Sequence, residues 1–159
     1  MKQAWFIVAL VLCGCPVPEP EPDGGTWPDG GPCPKELVLG TETDARAFVA
    51  LSDGAELEIN AGPQGGWHVW VSVQARTTRQ TGTLSYVLRS GSQVLSAPLR
   101  IELAEAYLDP IACGWERRSD ALTFEGSGEP WRGQPGEVEL RLESFGATPV
   151  VVKKAVQLK

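Results

Sequence analysis

His68 is the single histidine of the chain, and Cys13, Cys15, Cys33 and Cys113 are its four cysteines. These five residues bound the metal and nucleophile chemistry on offer. A blue-copper site takes two histidines, a cysteine and usually a methionine. The only methionine here is Met1, so that chemistry is excluded. A zinc site would have to gather carboxylates around His68, and no spacing points to such a set. No metal and no other cofactor is expected. Serine hydrolases of the Gly-x-Ser-x-Gly type place their nucleophile on a strand-to-helix elbow, and that motif does not occur. A triad would have to use His68, which falls inside a regular strand-like alternation. Paired carboxylates of the glycosidase kind have twenty acidic residues to draw on, most of which read as a solvated face. The chain is not expected to be an enzyme; an unrecognised hydrolase is the remaining catalytic alternative.

Aromatic residues offer a different chemistry. Trp67, Val69, Val71 and Val73 share one parity, and His68, Trp70, Ser72 and Gln74 share the other. If the valines face a core, Trp70 and His68 face outward. A tryptophan among polar groups can stack on a sugar ring or anchor a partner protein. Trp115 and Trp131 are the further candidates for such a surface, and a coplanar row with Trp70 would favour sugar. The alternative is that a loop at 113–117 or 127–133 covers Trp70. The glycines at 62, 65 and 66 precede a strand rather than a helix, so they read as a turn and not as a phosphate loop.

The elements that hold these residues are short and β-like. Ala55, Leu57 and Ile59 alternate with polar residues, as do Leu84, Tyr86 and Leu88, and Val138, Leu140 and Leu142. A longer alternation runs from Gln93 to Leu103, with Pro98 on the opposite parity, which predicts an edge strand or a bulge there. A last strand spans Val150 to Leu158, where Lys154 breaks the apolar parity and predicts a bulge or a rim position. Shorter strands are expected at 36–39, 47–51 and 121–125, and one helical turn at 104–109. No stretch keeps a helical period over three turns. Seven to nine strands joined by short turns predict an all-β, antiparallel sandwich over residues 35–159, with a core large enough to fold alone.

Upstream of residue 35 the composition changes. Lys2 is followed by an apolar run from Ala4 to Leu12, too short for a bilayer span of about 20 residues but suited to a signal-peptide core. Residues 16–34 contain seven prolines, four glycines and four acidic residues, the make-up of a solvated, extended tether reaching ~60 Å at about 3.1 Å per residue. The Pro-Asp-Gly-Gly repeat at 22–25 and 28–31 lacks the ligand spacing of a calcium loop. The formal charge is −6. Without residues 1–14, which carry Lys2, thirteen basic minus twenty acidic residues leave −7. An acidic surface gains nothing from counterion release on nucleic acid, so no nucleic-acid partner is expected.

Leu12-Cys13-Gly14-Cys15 resembles the bacterial lipobox. The resemblance implies cleavage after Gly14, lipid on Cys15, and a membrane anchor made of acyl chains rather than a transmembrane helix. Pro16 departs from the Asp signal that retains such lipoproteins at the inner membrane, so the outer membrane is expected, with the periplasmic or surface face left open. Export leaves Cys33 and Cys113 in an oxidising compartment, where two thiols usually form a disulfide. A reactive or metal-binding pair is the alternative, and no Cys-x-x-Cys supports it. The run Gly62–Val73 and the final hairpin Gly136–Lys159 resemble immunoglobulin-like domains of secreted bacterial proteins, and an uncharacterised group of lipoproteins from gliding soil bacteria. Antibody-type domains carry a tyrosine two residues before their second cysteine; this chain has Ile111 there. These resemblances imply a lipid-anchored protein of the cell envelope, serving as a protein-binding or structural module. Carbohydrate binding, to peptidoglycan or polysaccharide, is the alternative.

Overall fold

The structure is a computed structural model that describes residues 36–63, 65–76, 81–144 and 148–159. The expected signal peptide and tether, with Cys15 and Cys33, lie outside the described residues. Twelve strands occur among the described residues: β1 (Glu36–Glu42), β2 (Phe48–Ala50), β3 (Ala55–Leu57), β4 (Asn60–Ala61), β5 (Trp67–Arg76), β6 (Thr83–Ser90), β7 (Gln93–Val94), β8 (Leu99–Glu102), β9 (Asp109–Ile111), β10 (Gly114–Thr123), β11 (Pro135–Glu143) and β12 (Val150–Leu158). They form two six-stranded sheets. The first runs β2-β1-β5-β10-β9 with β4 also on β5, and the second runs β3-β12-β11-β6-β7 with β8 also on β6. This is the expected all-β sandwich. Its strand number exceeds the seven to nine predicted because several alternating segments are cut into pieces of two to four residues.

Those cuts have physical causes. The alternation Ala55–Asn60 is not one strand but a crossing between sheets. Ala55–Leu57 pairs with β12, Asn60–Ala61 pairs with β5, and the Ile59 N–H donates to the Lys159 carbonyl at 2.7 Å between them. The β3–β12 pairing is parallel, a departure from the purely antiparallel expectation. The Gln93–Leu103 segment divides into β7 and β8. Arg89 faces Val94 while Tyr86 faces Leu99, so extra residues accumulate around Pro98, as its missing N–H predicts. Lys154 makes no bulge: register is continuous from Leu142 opposite Val150 to Pro135 opposite Gln157, and Lys154 sits half-buried in it. A single 3-10 turn, Leu103–Glu105, stands where a helical turn was expected.

The core lies between the sheets. Val69, Val71, Val73 and Ala75 of β5 face Leu84, Tyr86 and Leu88 of β6 and Val138, Leu140 and Leu142 of β11, all buried. The largest correction to the sequence reading is β10, a ten-residue strand where only 121–125 was expected. Its register slips between Arg117 and Asp120, and Ser119 takes φ 59° there. The bulge reverses side-chain parity, so Trp115, Arg117, Asp120 and Leu122 all pair with inward positions of β5. At the start of β10, Gly114 lies so close to β5 that a Cβ would come within 2.0 Å of the Ala75 carbonyl oxygen. A side chain has no room at that position.

Candidate functional site

The outward face of β5 carries His68, Trp70, Ser72 and Gln74, in the order its alternation predicts. A hollow opens beside it because β5 changes neighbours. β1 stays in register as far as Gly40 opposite Ser72 and then turns away with β2; β4 takes over at Asn60 opposite His68. Trp70 falls in the gap. The resulting concavity has a volume of about 420 Å³ and is lined by Trp70, Ser72 and Ser119 together with Glu42, Glu56, Glu58 and Asn60.

Trp70 is 43% exposed, a large value for an indole on a central strand. The His68 ring packs against it in a T-shaped contact, with centroids 4.6 Å apart and planes at 78°, a favourable aromatic geometry. Ser72 is buried at the bottom. Its hydroxyl lies 3.4 Å from Glu42 Oε1 and accepts the Ser119 N–H at 3.3 Å, while the Ser119 hydroxyl donates to the same Glu42 oxygen at 2.8 Å. The bulge in β10 thus does a second job: by turning Asp120 inward it brings Ser119 over β5 to orient Glu42.

A second hollow of about 370 Å³ shares Glu42 and Ser119 with the first and is lined by Arg46, Tyr107, Asp109, Arg117 and Arg118. Its central cation, Arg118, is already paired. Arg118 pairs with Asp109, reaches Glu116 Oε1 at 3.0 Å and donates to the Arg46 carbonyl at 2.9 Å. The Arg118 guanidinium holds the Asp109 carboxyl below the usual carboxylate range. Gln74 Nε2 donates to Glu116 Oε2 at 2.6 Å. This network fixes β9 and β10 to the loop before β2 and commits the Arg118 donors.

The other candidate aromatics do not join Trp70. Trp115 is completely buried on the inward face of β10, so it belongs to the core and not to a binding surface. Trp131 lies in the 3-10 turn Glu129–Trp131, half-buried against the core. Trp67 is half-buried with the Arg132 guanidinium 5.7 Å from its ring centroid. A coplanar row built on Trp115 therefore does not form. Neither segment expected to cover Trp70 does so: most of 113–117 is strand β10, and Gly128, at the start of the turn, packs against Ile59 and Trp67.

Cys113 is half-buried at the turn into β10 with φ 64°, and it is not without a partner. Among the described residues no group of three or more His, Cys, Asp or Glu side chains is placed to hold a metal ion. No helix among them is long and apolar enough to cross a membrane. The sequence pattern alone located Trp70 and His68; Glu42, Glu58, Asn60 and Ser119 come from three other strands and one connection and have no common spacing that announces them. No protein-family model matches the chain, and no curated protein matches it.

Proposed function

We propose that the chain is a lipoprotein of the bacterial cell envelope, anchored at the outer membrane through Cys15, whose sandwich docks an envelope protein on the outer face of its first sheet. It is not an enzyme in this reading. The observation that carries the docking face is Trp70: an aromatic side chain left 43% exposed in a concave setting on a rigid strand. Such anchors dominate the energetics of protein interfaces. Lipidation is supported by the order of Lys2, the apolar run and Leu12-Cys13-Gly14-Cys15.

A Cys33–Cys113 disulfide belongs to the same reading. Glu36, three residues after Cys33 in sequence, pairs with Arg76, and Trp115, two residues after Cys113, pairs with Ala75, so the described parts of β1 and β10 nearest the two cysteines flank the same end of β5. The immunoglobulin-like form of the sandwich also remains part of the proposal, supported by its β11–β12 hairpin. Carbohydrate binding is the second reading, favoured by Asn60 and Ser72 beside an exposed indole, and weakened by the burial of Trp115.

Two measurements test the proposal. Metabolic labelling with a fatty acid is expected to mark the wild-type chain and retain it with membranes, and Cys15→Ser is expected to release it. Acylation that persists in Cys15→Ser removes the anchor from the account. A photoreactive residue at position 70 is expected to give a discrete adduct with an envelope protein, whereas one at Val87, on the outer face of the second sheet, gives none. Equal labelling at both positions, or none at 70, sinks the docking face.

A further inference from the structure

We infer that the hollow beside Trp70 receives a cationic side chain, the guanidinium of an arginine or the ammonium of a lysine, presented by the partner protein; this rests on the docking face proposed above. Shape, charge and the aromatic wall agree on that occupant. The hollow, at about 420 Å³, takes a single long side chain without rearrangement. The carboxylates of Glu42, Glu56 and Glu58 line it. Glu42 is oriented by the hydroxyls of Ser72 and Ser119, which are neutral, and it feels the Arg118 charge without forming an ion pair with it. Among the described residues no lysine or arginine forms an ion pair with Glu42 or Glu58.

The chain itself shows how a cation uses this wall. Lys159 places its Nζ 2.9 Å from Glu56 Oε2, with an ordinary ammonium–carboxylate geometry. Lys159 also feels the Glu58 charge but makes its direct contact with Glu56, so Glu42 and Glu58 are the carboxylates of the wall that a second cation would contact. Trp70 supplies what Lys159 does not use: an exposed indole, and a positive group over an indole face is attracted by the ring quadrupole. Arginine suits the site best, because a planar guanidinium stacks on the ring while its fork meets carboxylate oxygens. The same field repels anionic ligands, so an acidic polysaccharide is disfavoured, and a neutral sugar becomes the alternative that the experiment must separate.

The test uses the full chain in non-ionic detergent, observed through the indole N–H resonance of Trp70 and, for variants, through calorimetry. The probes are the blocked tripeptide acetyl-Gly-Arg-Gly-amide, its lysine and citrulline counterparts, and a tetramer of N-acetylglucosamine, each taken to tens of millimolar. The arginine peptide is expected to shift the Trp70 resonance saturably, with lysine weaker and the uncharged citrulline peptide silent. Glu58→Gln and Trp70→Ala are each expected to weaken binding about ten-fold, the scale of one well-placed cation–π or charge contact. Glu139→Gln, whose carboxylate faces Lys153 on the other sheet, leaves it unchanged. Equal binding of the citrulline peptide, or full affinity in Glu58→Gln, overturns the inference. So does a Trp70 shift with the N-acetylglucosamine tetramer and none with the arginine peptide. An adduct at position 70 without arginine binding removes the cationic occupant and keeps the docking face; loss of both removes the two together.

Discussion

Replacing Arg117 by alanine is expected to lower the unfolding free energy by about 3–5 kcal/mol, the cost of leaving a buried charge without its partner. The buried charge is Asp120, only 3% exposed. Two groups stabilise its carboxylate: Arg117 Nη2 lies 2.8 Å from Oδ1, and the Tyr86 hydroxyl donates to Oδ2 at 2.9 Å. Tyr86 comes from β6 and Asp120 from β10, so the carboxylate ties the two sheets together through the core. The arrangement is not free of cost. Arg117 leaves its Nε buried without an acceptor, and burial pushes the Asp120 carboxyl up despite the opposing pull of Arg117 and Tyr86. Breaking the pair should therefore hurt far more than replacing both members. Asp120→Asn, added to Arg117→Ala, is expected to recover much of the loss in urea denaturation. A loss below about 1 kcal/mol in the single variant would mean that Asp120 is solvated, as exposed ion pairs contribute at most that much.

The same carboxylate sets a pH dependence whose sign follows from its direction of shift. The folded pKa of Asp120 is raised above the unfolded value of about 3.9, so the folded state holds its proton more tightly. Its contribution to stability is fully present below the unfolded pKa and is lost as pH rises through the raised folded value. Arg117→Ala removes the nearest cation and raises the folded pKa further. The deficit of the variant relative to wild type should then be largest at neutral pH and shrink on acidification. Asp120→Asn should abolish that trend. A deficit that stays constant from neutral to acidic pH would separate Arg117 from Asp120.

How much of this was legible in the sequence depends on whether a residue sits in an unbroken alternation. β5, β6 and β11 keep period two from end to end, and their inward and outward sets follow directly from sequence. His68 and Trp70 on the outer face are the functional yield of that pattern. β10 hid because its parity reverses at the bulge. Read as one continuous alternation, Trp115 and Leu122 fall on opposite faces, and the charged run Glu116–Asp120 looks solvated. Two inward residues of opposite parity around a polar run were the available sign of a bulge, and with it of a buried Asp120. The hollow itself had no local signal. It exists because β1 leaves β5 at Ser72 and β4 joins it only at His68, with Val69, Trp70 and Val71 between them, which is a fact about sheet edges rather than about any stretch of sequence.

The two tryptophans on either side of that first sheet should behave oppositely. Trp115→Ala is expected to cost about 3–5 kcal/mol, the range for deleting a large aromatic from a packed core. Its side chain is completely buried, and its neighbours are held in two sheets and cannot collapse freely into the space. Trp70→Ala is expected to change stability by less than about 1 kcal/mol, because a half-exposed side chain contributes much less apolar burial. The loss there should appear in partner binding and in the cross-link at position 70. Thermal or urea unfolding of the two variants, compared with their ligand affinity, separates the roles. If Trp70→Ala destabilised the fold as much as Trp115→Ala, the exposed indole would be serving the sandwich itself, and the case for a docking face would lose its carrying residue. If Trp115→Ala were nearly neutral, the bulged register of β10 would be wrong, and the inward Asp120 and the Ser119 contact to Glu42 would fall with it. The hollow depends on that same bulge, so the stability of Trp115→Ala is also a test of the site.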